Sequence, residues 1–376
     1  MSFPEGFINL DAKRGIFRAA GAGLGKIGVN YIPLMRSIGP VKPGVPSLTL
    51  SQVKTLTAAG EAPPPETFSW KPPQILPPGN QSACGSCYAY SSTQCLADRW
   101  AIARKVQPPP NLAVKVTAGC VDAHCGGGLP INCGHFFEER GVPLDSCAPY
   151  ASFCGPDVKT NCSNPPCQAD VCSEDHWFAT KGSTAYISDI DAAITDEAIR
   201  DNITKIKLDI YHNGPLVCCF YVFDDFMARD KHPDSWPNGI YKRDAAKFPD
   251  GSTDSGHAVA IVGYGPDYWL IRNSWGTHWN DGGYVKVYDG LHGNKGVGFD
   301  HTIVGKGGAK LGGTITFKAS PVTGNTNYGA SSVSGALGSV WFWLLLLLVL
   351  GAGVAIGIYW WRQRSRRGGG GSVSFL

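Results

Sequence analysis

An α+β fold, with a helical half ahead of a strand-rich half and an apolar span behind both, follows from three patterns in this 376-residue sequence. A helical pattern runs from about Ser86 to Arg104 inside a cysteine-rich stretch. Further on, Ala258 to Val262, Tyr268 to Arg272 and Tyr284 to Val287 are short apolar or alternating runs punctuated by Gly and Asn, as strands are. Near the C-terminus, Val340 to Trp361 is 22 residues long and carries no charge. Hydrophobic residues (43%) suffice for a packed core, and Gly (48) with Pro (27), about a fifth of the chain, point to long loops between the elements.

Along the chain, residues 1–65 mix short apolar stretches with basic residues and end in the stiff run Pro63-Pro64-Pro65. They read as a prosegment-like region with a linker. Residues 66–305 form the main domain, divided into a helical half (66–175) and a β-rich half (176–305). Residues 306–339 are rich in Gly, Ser and Thr and read as a flexible stalk. The apolar run of residues 340–361 would reach roughly 33 Å as a helix, enough for a bilayer core. Trp341, Phe342 and Trp343 stand at one end and Tyr359, Trp360 and Trp361 at the other, as interfacial aromatic belts do. Residues 362–376 are a basic, Gly-rich tail. Arg362, Arg364, Arg366 and Arg367 lie in it; without them the chain has 29 basic residues against 30 acidic ones. No overall basic field is left, which argues against a nucleic-acid partner.

Eleven of the thirteen cysteines fall between Cys84 and Cys172, a density that suggests a disulfide framework with at least one thiol left over. Cys84-x-x-Cys87 and Cys120-x4-Cys125 have metal-like spacings, so a zinc or redox protein built on them is a competing reading. No second pair stands at zinc-ribbon spacing, and no metal or other cofactor is expected.

The most informative stretch is Asn80-Gln81-Ser82-Ala83-Cys84-Gly85-Ser86-Cys87-Tyr88. Cys-Gly-Ser-Cys-Tyr is a local signature of papain and the cathepsins. Downstream, Gly256-His257-Ala258-Val259 and Asn273-Ser274-Trp275-Gly276 resemble the histidine and asparagine motifs of that family. The resemblance covers about 66–305 and implies a papain-like two-lobed fold that hydrolyses peptide bonds through an acyl-thioester. A thiol is a poor nucleophile until it ionises, and Cys87 opens the expected helix, where the positive dipole end and an imidazolium from His257 would hold its sulfur as thiolate. His257 would then protonate the leaving amine, and Asn273 would orient its ring. Gln81, six residues before the nucleophile, would form the oxyanion hole with the Cys87 backbone N–H. Trp275 would shield the Asn–His hydrogen bond from water. Protein or peptide substrates follow from this reading. A catalytically silent scaffold or binding module on the same fold is the alternative.

Ala97-Asp98-Arg99-Trp100 and Arg140-Gly141-Val142-Pro143 look most like the cathepsin X (or Z) branch of the family. That resemblance implies the pairs Cys84–Cys125, Cys120–Cys154, Cys147–Cys162 and Cys167–Cys172, with Cys95, Cys133, Cys218 and Cys219 unassigned. The chain departs from the branch in several places. Tyr88 stands where the family usually has Trp, and Gln81-Ser82-Ala83-Cys84 leaves no room for the branch's extra loop, so endopeptidase or mixed activity is expected. Residues 1–83 lack a cysteine to cap the active thiol, and His257 lies 170 residues after Cys87. The family typically has about 130–150 residues there, and the excess falls in the cysteine tract and in the loop from Met227 to Ser255.

A single-pass, C-terminal membrane anchor is expected from the 340–361 span, and no apolar stretch at the N-terminus resembles a secretory signal. The arginines behind the span place the tail in the cytosol by the positive-inside rule, whereas a tail anchor without a signal places the domain there. A similar arrangement occurs in proteases of large DNA viruses, which makes the virion membrane a setting to test. Asn80, Asn161 and Asn202 begin glycosylation sequons.

Overall fold

The computed structural model describes residues 7–11, 16–20, 47–56, 63–122, 124–152, 162, 165–169, 172, 175–187, 196–227, 229–243, 247, 256–289 and 314–324. The expected span at 340–361, the basic tail, Asn161 and Cys154 lie outside these residues. Among the described residues, no helix is long and apolar enough to cross a membrane.

In chain order the elements are β1 (Phe7–Asp11), β2 (Ile16–Ala20), α1 (Leu50–Leu56), β3 (Phe68–Ser69), α2 (Cys87–Arg104), α3 (Val114–Cys120), α4 (Pro130–Glu139), β4 (His176–Ala179), β5 (Ala185–Tyr186), α5 (Asp196–Asn213), β6 (Leu216–Tyr221), α6 (Asp224–Met227), β7 (Ile240–Tyr241), β8 (Gly256–Tyr264), β9 (Tyr268–Arg272), β10 (Tyr284–Tyr288), β11 (Thr314–Thr316) and β12 (Ala319–Gly324). The main sheet runs β5-β11-β6-β8-β9-β10-β7, with β3 also paired to β8. Its central strands are buried on both faces. Val217, Cys219 and Tyr221 of β6, with Ala258, Ala260 and Val262 of β8, share a core with α2, α3 and α4. Leu216, Cys218, Phe220, Val259 and Ile261 share the other core with α5. Two-sided burial explains why these strands read as continuous apolar runs without alternation.

The helix expected near Ser86–Arg104 is α2, and the three expected strands are β8, β9 and β10. Two parts of the sequence reading are corrected. Residues 176–305 contain the 18-residue helix α5, whose Ile203, Ile206 and Ile210 are buried at helical spacing. Residues 314–324, assigned to the stalk, form β11 and β12; Ile315 and Phe317 are core residues, and β11 bridges β5 and β6.

Part of the prosegment-like region is packed into the domain. Thr49 and Gln52 form a reciprocal capping box at the start of α1: the Gln52 N–H donates to Thr49 Oγ1 (3.2 Å) and the Thr49 N–H to Gln52 Oε1 (2.9 Å). Val53 is buried against α5, Leu48 N donates to Tyr186 O (2.8 Å), and Lys205 Nζ donates to Leu48 O (3.1 Å).

Cys84 pairs with Cys125 as the resemblance implies, but Cys120 pairs with Cys167 and Cys147 with Cys172. The reason is packing: Gly119 at the end of α3 lies so close to Pro165 and Pro166 that a Cβ there would sit 2.4 Å from the Pro166 oxygen. That approach delivers Cys167, not Cys154, to Cys120. Cys162 is also disulfide-bonded. Cys84, Cys120 and Cys125 are thus committed to sulfur, which removes both metal-like pairs. Cys87, Cys95, Cys133, Cys218 and Cys219 remain thiols.

Candidate active site

Cys87 is the first residue of α2, and Ser86 before it occupies the N-cap position without making a side-chain cap bond. The backbone N–H groups of Ala258, Tyr88 and Cys87 itself are directed at the Cys87 sulfur. Ala258 follows His257 in β8, so the helix start and the strand start converge there. Nearby, Ser91 Oγ donates to the Cys87 carbonyl (2.7 Å).

His257 is 1% exposed and is paired across the sheet with Phe220. Its Nε2 lies 2.8 Å from Asn273 Oδ1, and the Ser274 N–H donates to the same oxygen (2.8 Å). Two donors on one oxygen define which end of the amide faces the ring. Nε2 therefore carries the proton, and Nδ1 is the nitrogen able to accept one. Trp275 stacks over the imidazole at 4.7 Å and 23°, and Trp279 meets Trp275 edge-on at 5.1 Å. Asn273 is held in turn by its own N–H to Gly283 O (3.0 Å). Gly283 has φ +89°, and a Cβ there would meet Pro78 at 2.5 Å, so only glycine fits.

Gln81 sits in a tight turn: Asn80 Oδ1 accepts the Ser82 N–H (2.9 Å), and Ser82 has φ +52°. Its side chain is fixed at both ends, with Nε2 donating to Cys84 O (2.9 Å) and Oε1 accepting from Ser274 Oγ (2.7 Å). Ser274, visible in the sequence beside Asn273, is given no role by sequence reasoning; only the fold brings it to Gln81. The Tyr88 departure also gains a function. Its buried hydroxyl donates towards the carbonyls of Val121 (2.9 Å) and His124 (3.1 Å), tying the helix to the segment after α3 that carries Cys125.

Burial pushes the Cys87 thiol up to about 11 against the pull of the three backbone N–H groups. Burial likewise pulls His257 down to about 4, against the Asn273 hydrogen bond. Each charge alone is disfavoured here, so the thiolate–imidazolium pair expected from sequence would have to form by transfer of the Cys87 proton to His257. The one-proton state of the pair is lost when His257 gains a second proton or Cys87 loses the last. With His257 below its usual 6.5 and Cys87 above its usual 9.0, both limits move outward. A kcat/KM–pH profile should therefore be flat across neutrality, with its acid limb well below pH 6.5. An acid limb at or above 6.5 would contradict this environment.

Comparison with known proteins identifies the family. The chain is 30% identical over 227 residues to a gut-specific cysteine proteinase of Caenorhabditis elegans, covering 56% of this chain and 63% of the relative. It is 31% identical over 212 residues to a cathepsin Z of Onchocerca volvulus, covering 54% and 61%. The matched region thus spans less than two thirds of these relatives. A procathepsin B from Trypanosoma congolense shares the fold, with a TM-score of 0.54 over 78% of this chain and 89% of that one at 21% identity. The family model for papain family cysteine proteases matches residues 64–304, and the chain belongs to that family.

Proposed function

We propose that the chain is a membrane-anchored cysteine peptidase acting on protein or peptide substrates, with Cys87, His257, Asn273 and Gln81 as its catalytic set. The observation that carries this reading is the hydrogen-bonded His257–Asn273 pair beside a helix-opening thiol that is left out of the disulfides. His257 Nδ1 takes the Cys87 proton as the sulfur attacks the substrate carbonyl carbon. The resulting oxyanion accepts from the second Gln81 Nε2 proton and from the Cys87 N–H. His257 returns its proton to the leaving amine, which departs and leaves an acyl-thioester. Water then attacks the thioester, His257 relays the proton, and the thiol is restored.

The short Gln81–Cys84 connection, closed by the Gln81 Nε2–Cys84 O bond, leaves no inserted loop at that point and supports endopeptidase or mixed action. Residues 1 to about 65 serve as the prosegment, whose final part includes the docked segment around α1. The anchor is the 340–361 span, with the virion membrane as the setting to examine. Asn202 is 1% exposed on α5 and so closed to glycosylation in the folded domain, whereas Asn80 is exposed.

Labelling by an epoxide thiol inhibitor followed by peptide mapping should place the adduct on Cys87 alone, and a C-terminally amidated peptide should be cut. A label on Cys95 or Cys133, with Cys87 untouched, would overturn the assignment. For the anchor, full-length protein in membranes should resist alkaline carbonate; release without detergent would refute it.

A further inference from the structure

Resting on the peptidase reading above, we propose that Tyr150 is a positioning residue of the oxyanion hole, its hydroxyl joining the backbone of Gln81 to the N-cap Ser86. Tyr150 lies inside the cysteine-rich stretch, three residues after Cys147, and is only 7% exposed. Its ring packs edge-on against Tyr90 of α2 at 4.8 Å, and its N–H donates to Asp145 Oδ1 (3.1 Å), so the hydroxyl is delivered from a fixed base. That hydroxyl donates to Gln81 O (2.9 Å) and lies 2.6 Å from Ser86 Oγ. A phenol has one proton, and it is spent on Gln81; Ser86 is therefore the donor to Tyr150.

Two consequences follow for the reaction. Gln81 becomes fixed by five bonds: N–H to Ser274 O (2.8 Å), carbonyl from Tyr150 and from the Cys84 N–H (3.3 Å), Oε1 from Ser274, and Nε2 to Cys84 O. Three of these bonds cross from one chain segment to another, and the Tyr150 bond is the one that links the glutamine to the nucleophile helix through Ser86. Second, an N-cap serine ordinarily turns its oxygen onto the amides of the first helical turn. Here the Ser86 hydroxyl is engaged by Tyr150 and makes no such cap. The amides of Cys87 and Tyr88 are thereby left to the sulfur and the developing oxyanion.

The test compares Tyr150→Phe, which keeps the ring and removes one oxygen, with Ser86→Ala, which leaves the Tyr150–Gln81 bond in place. A peptide aldehyde reports on the oxyanion hole, because its hemithioacetal carries the same oxygen. Iodoacetamide alkylation reports on the sulfur without any oxyanion. Tyr150→Phe should lower kcat and aldehyde affinity together by about 10-fold, the worth of one positioning hydrogen bond, with KM within about 2-fold and the alkylation rate retained. Ser86→Ala should change aldehyde affinity by less than about 3-fold. Unchanged aldehyde affinity in Tyr150→Phe would overturn the proposal, as would a parallel loss of alkylation, which marks general distortion. Wild-type protein that binds neither aldehyde nor epoxide would instead defeat the peptidase reading itself.

Discussion

Replacing Cys87 by Ala is expected to lower kcat/KM by on the order of 10⁶-fold, to background, and His257→Ala nearly as far, as happens when a protease loses its nucleophile or base. In the proposed mechanism the two act as one unit, because the proton that leaves the sulfur is the one His257 later gives to the amine. Their double variant should therefore lose no more than either single change. Gln81→Ala removes one oxyanion donor and should cost roughly 10²- to 10³-fold in kcat. Asn273→Ala should cost less, roughly 10- to 100-fold, the worth of one hydrogen bond to a ring that charges during the reaction. The Trp275 stack at 4.7 Å would still hold the imidazole in that variant. Steady-state rates on a blocked peptide, with folding checked by circular dichroism, give all four values. Appreciable activity in folded Cys87→Ala protein would remove the mechanism.

The four candidate residues are legible in the sequence because each lies in a short local motif: Gln81 in the turn before the helix, Cys87 at the helix start, His257 at a strand start and Asn273 just past a strand end. What holds them is not local. Ser274 meets Gln81 across 193 residues, and Tyr150 meets Gln81 across 69. The disulfides divide in the same way. Cys84–Cys125 follows from family resemblance, whereas Cys120–Cys167 depends on Gly119 fitting beneath Pro166, which no spacing reveals. Helix α5 escapes notice because its buried face mixes Ile203, Ile206 and Ile210, residues that favour strands, with the polar Asn202, Lys205 and Asp209. β11 escapes because three residues, Thr314, Ile315 and Thr316, are too few to stand out between glycine-rich stretches; their burial comes from the strands on either side and from the helices packed on the sheet.

Asp98→Ala is expected to destabilise the domain by about 3–5 kcal/mol, while a Met in place of each partner in Asp98 and Arg272 together should be close to neutral. Both side chains are wholly buried, with Arg272 Nη1 2.7 Å from Asp98 Oδ2. The pair joins α2 to β9, one residue before Asn273. Leu76 is clasped between them, its N–H donating to Asp98 Oδ1 (2.7 Å) and its carbonyl accepting from Arg272 Nη1 (2.8 Å). Burial raises the Asp98 carboxyl in spite of the guanidinium beside it. Burial works most strongly against the Arg272 charge, but the Asp98 carboxylate together with Cys95 and Tyr284 outweighs it and raises the pKa. Removing the carboxylate alone strands a buried cation, and such a charge costs several kcal/mol because neither water nor a counterion reaches it. Removing both charges discards the desolvation cost along with the attraction, which is why the double change is far milder. The two effects separate in a double-mutant cycle of urea unfolding, where the coupling between positions 98 and 272 should be at least about 2 kcal/mol. Simple additivity of the two single losses would show that the pair does not act as a unit. If the Met pair is stable yet slow, with kcat reduced and KM unchanged, the clasp would prove to matter for Asn273 as well: Arg272 is the last residue of β9, and the backbone it fixes leads directly into the asparagine that orients His257.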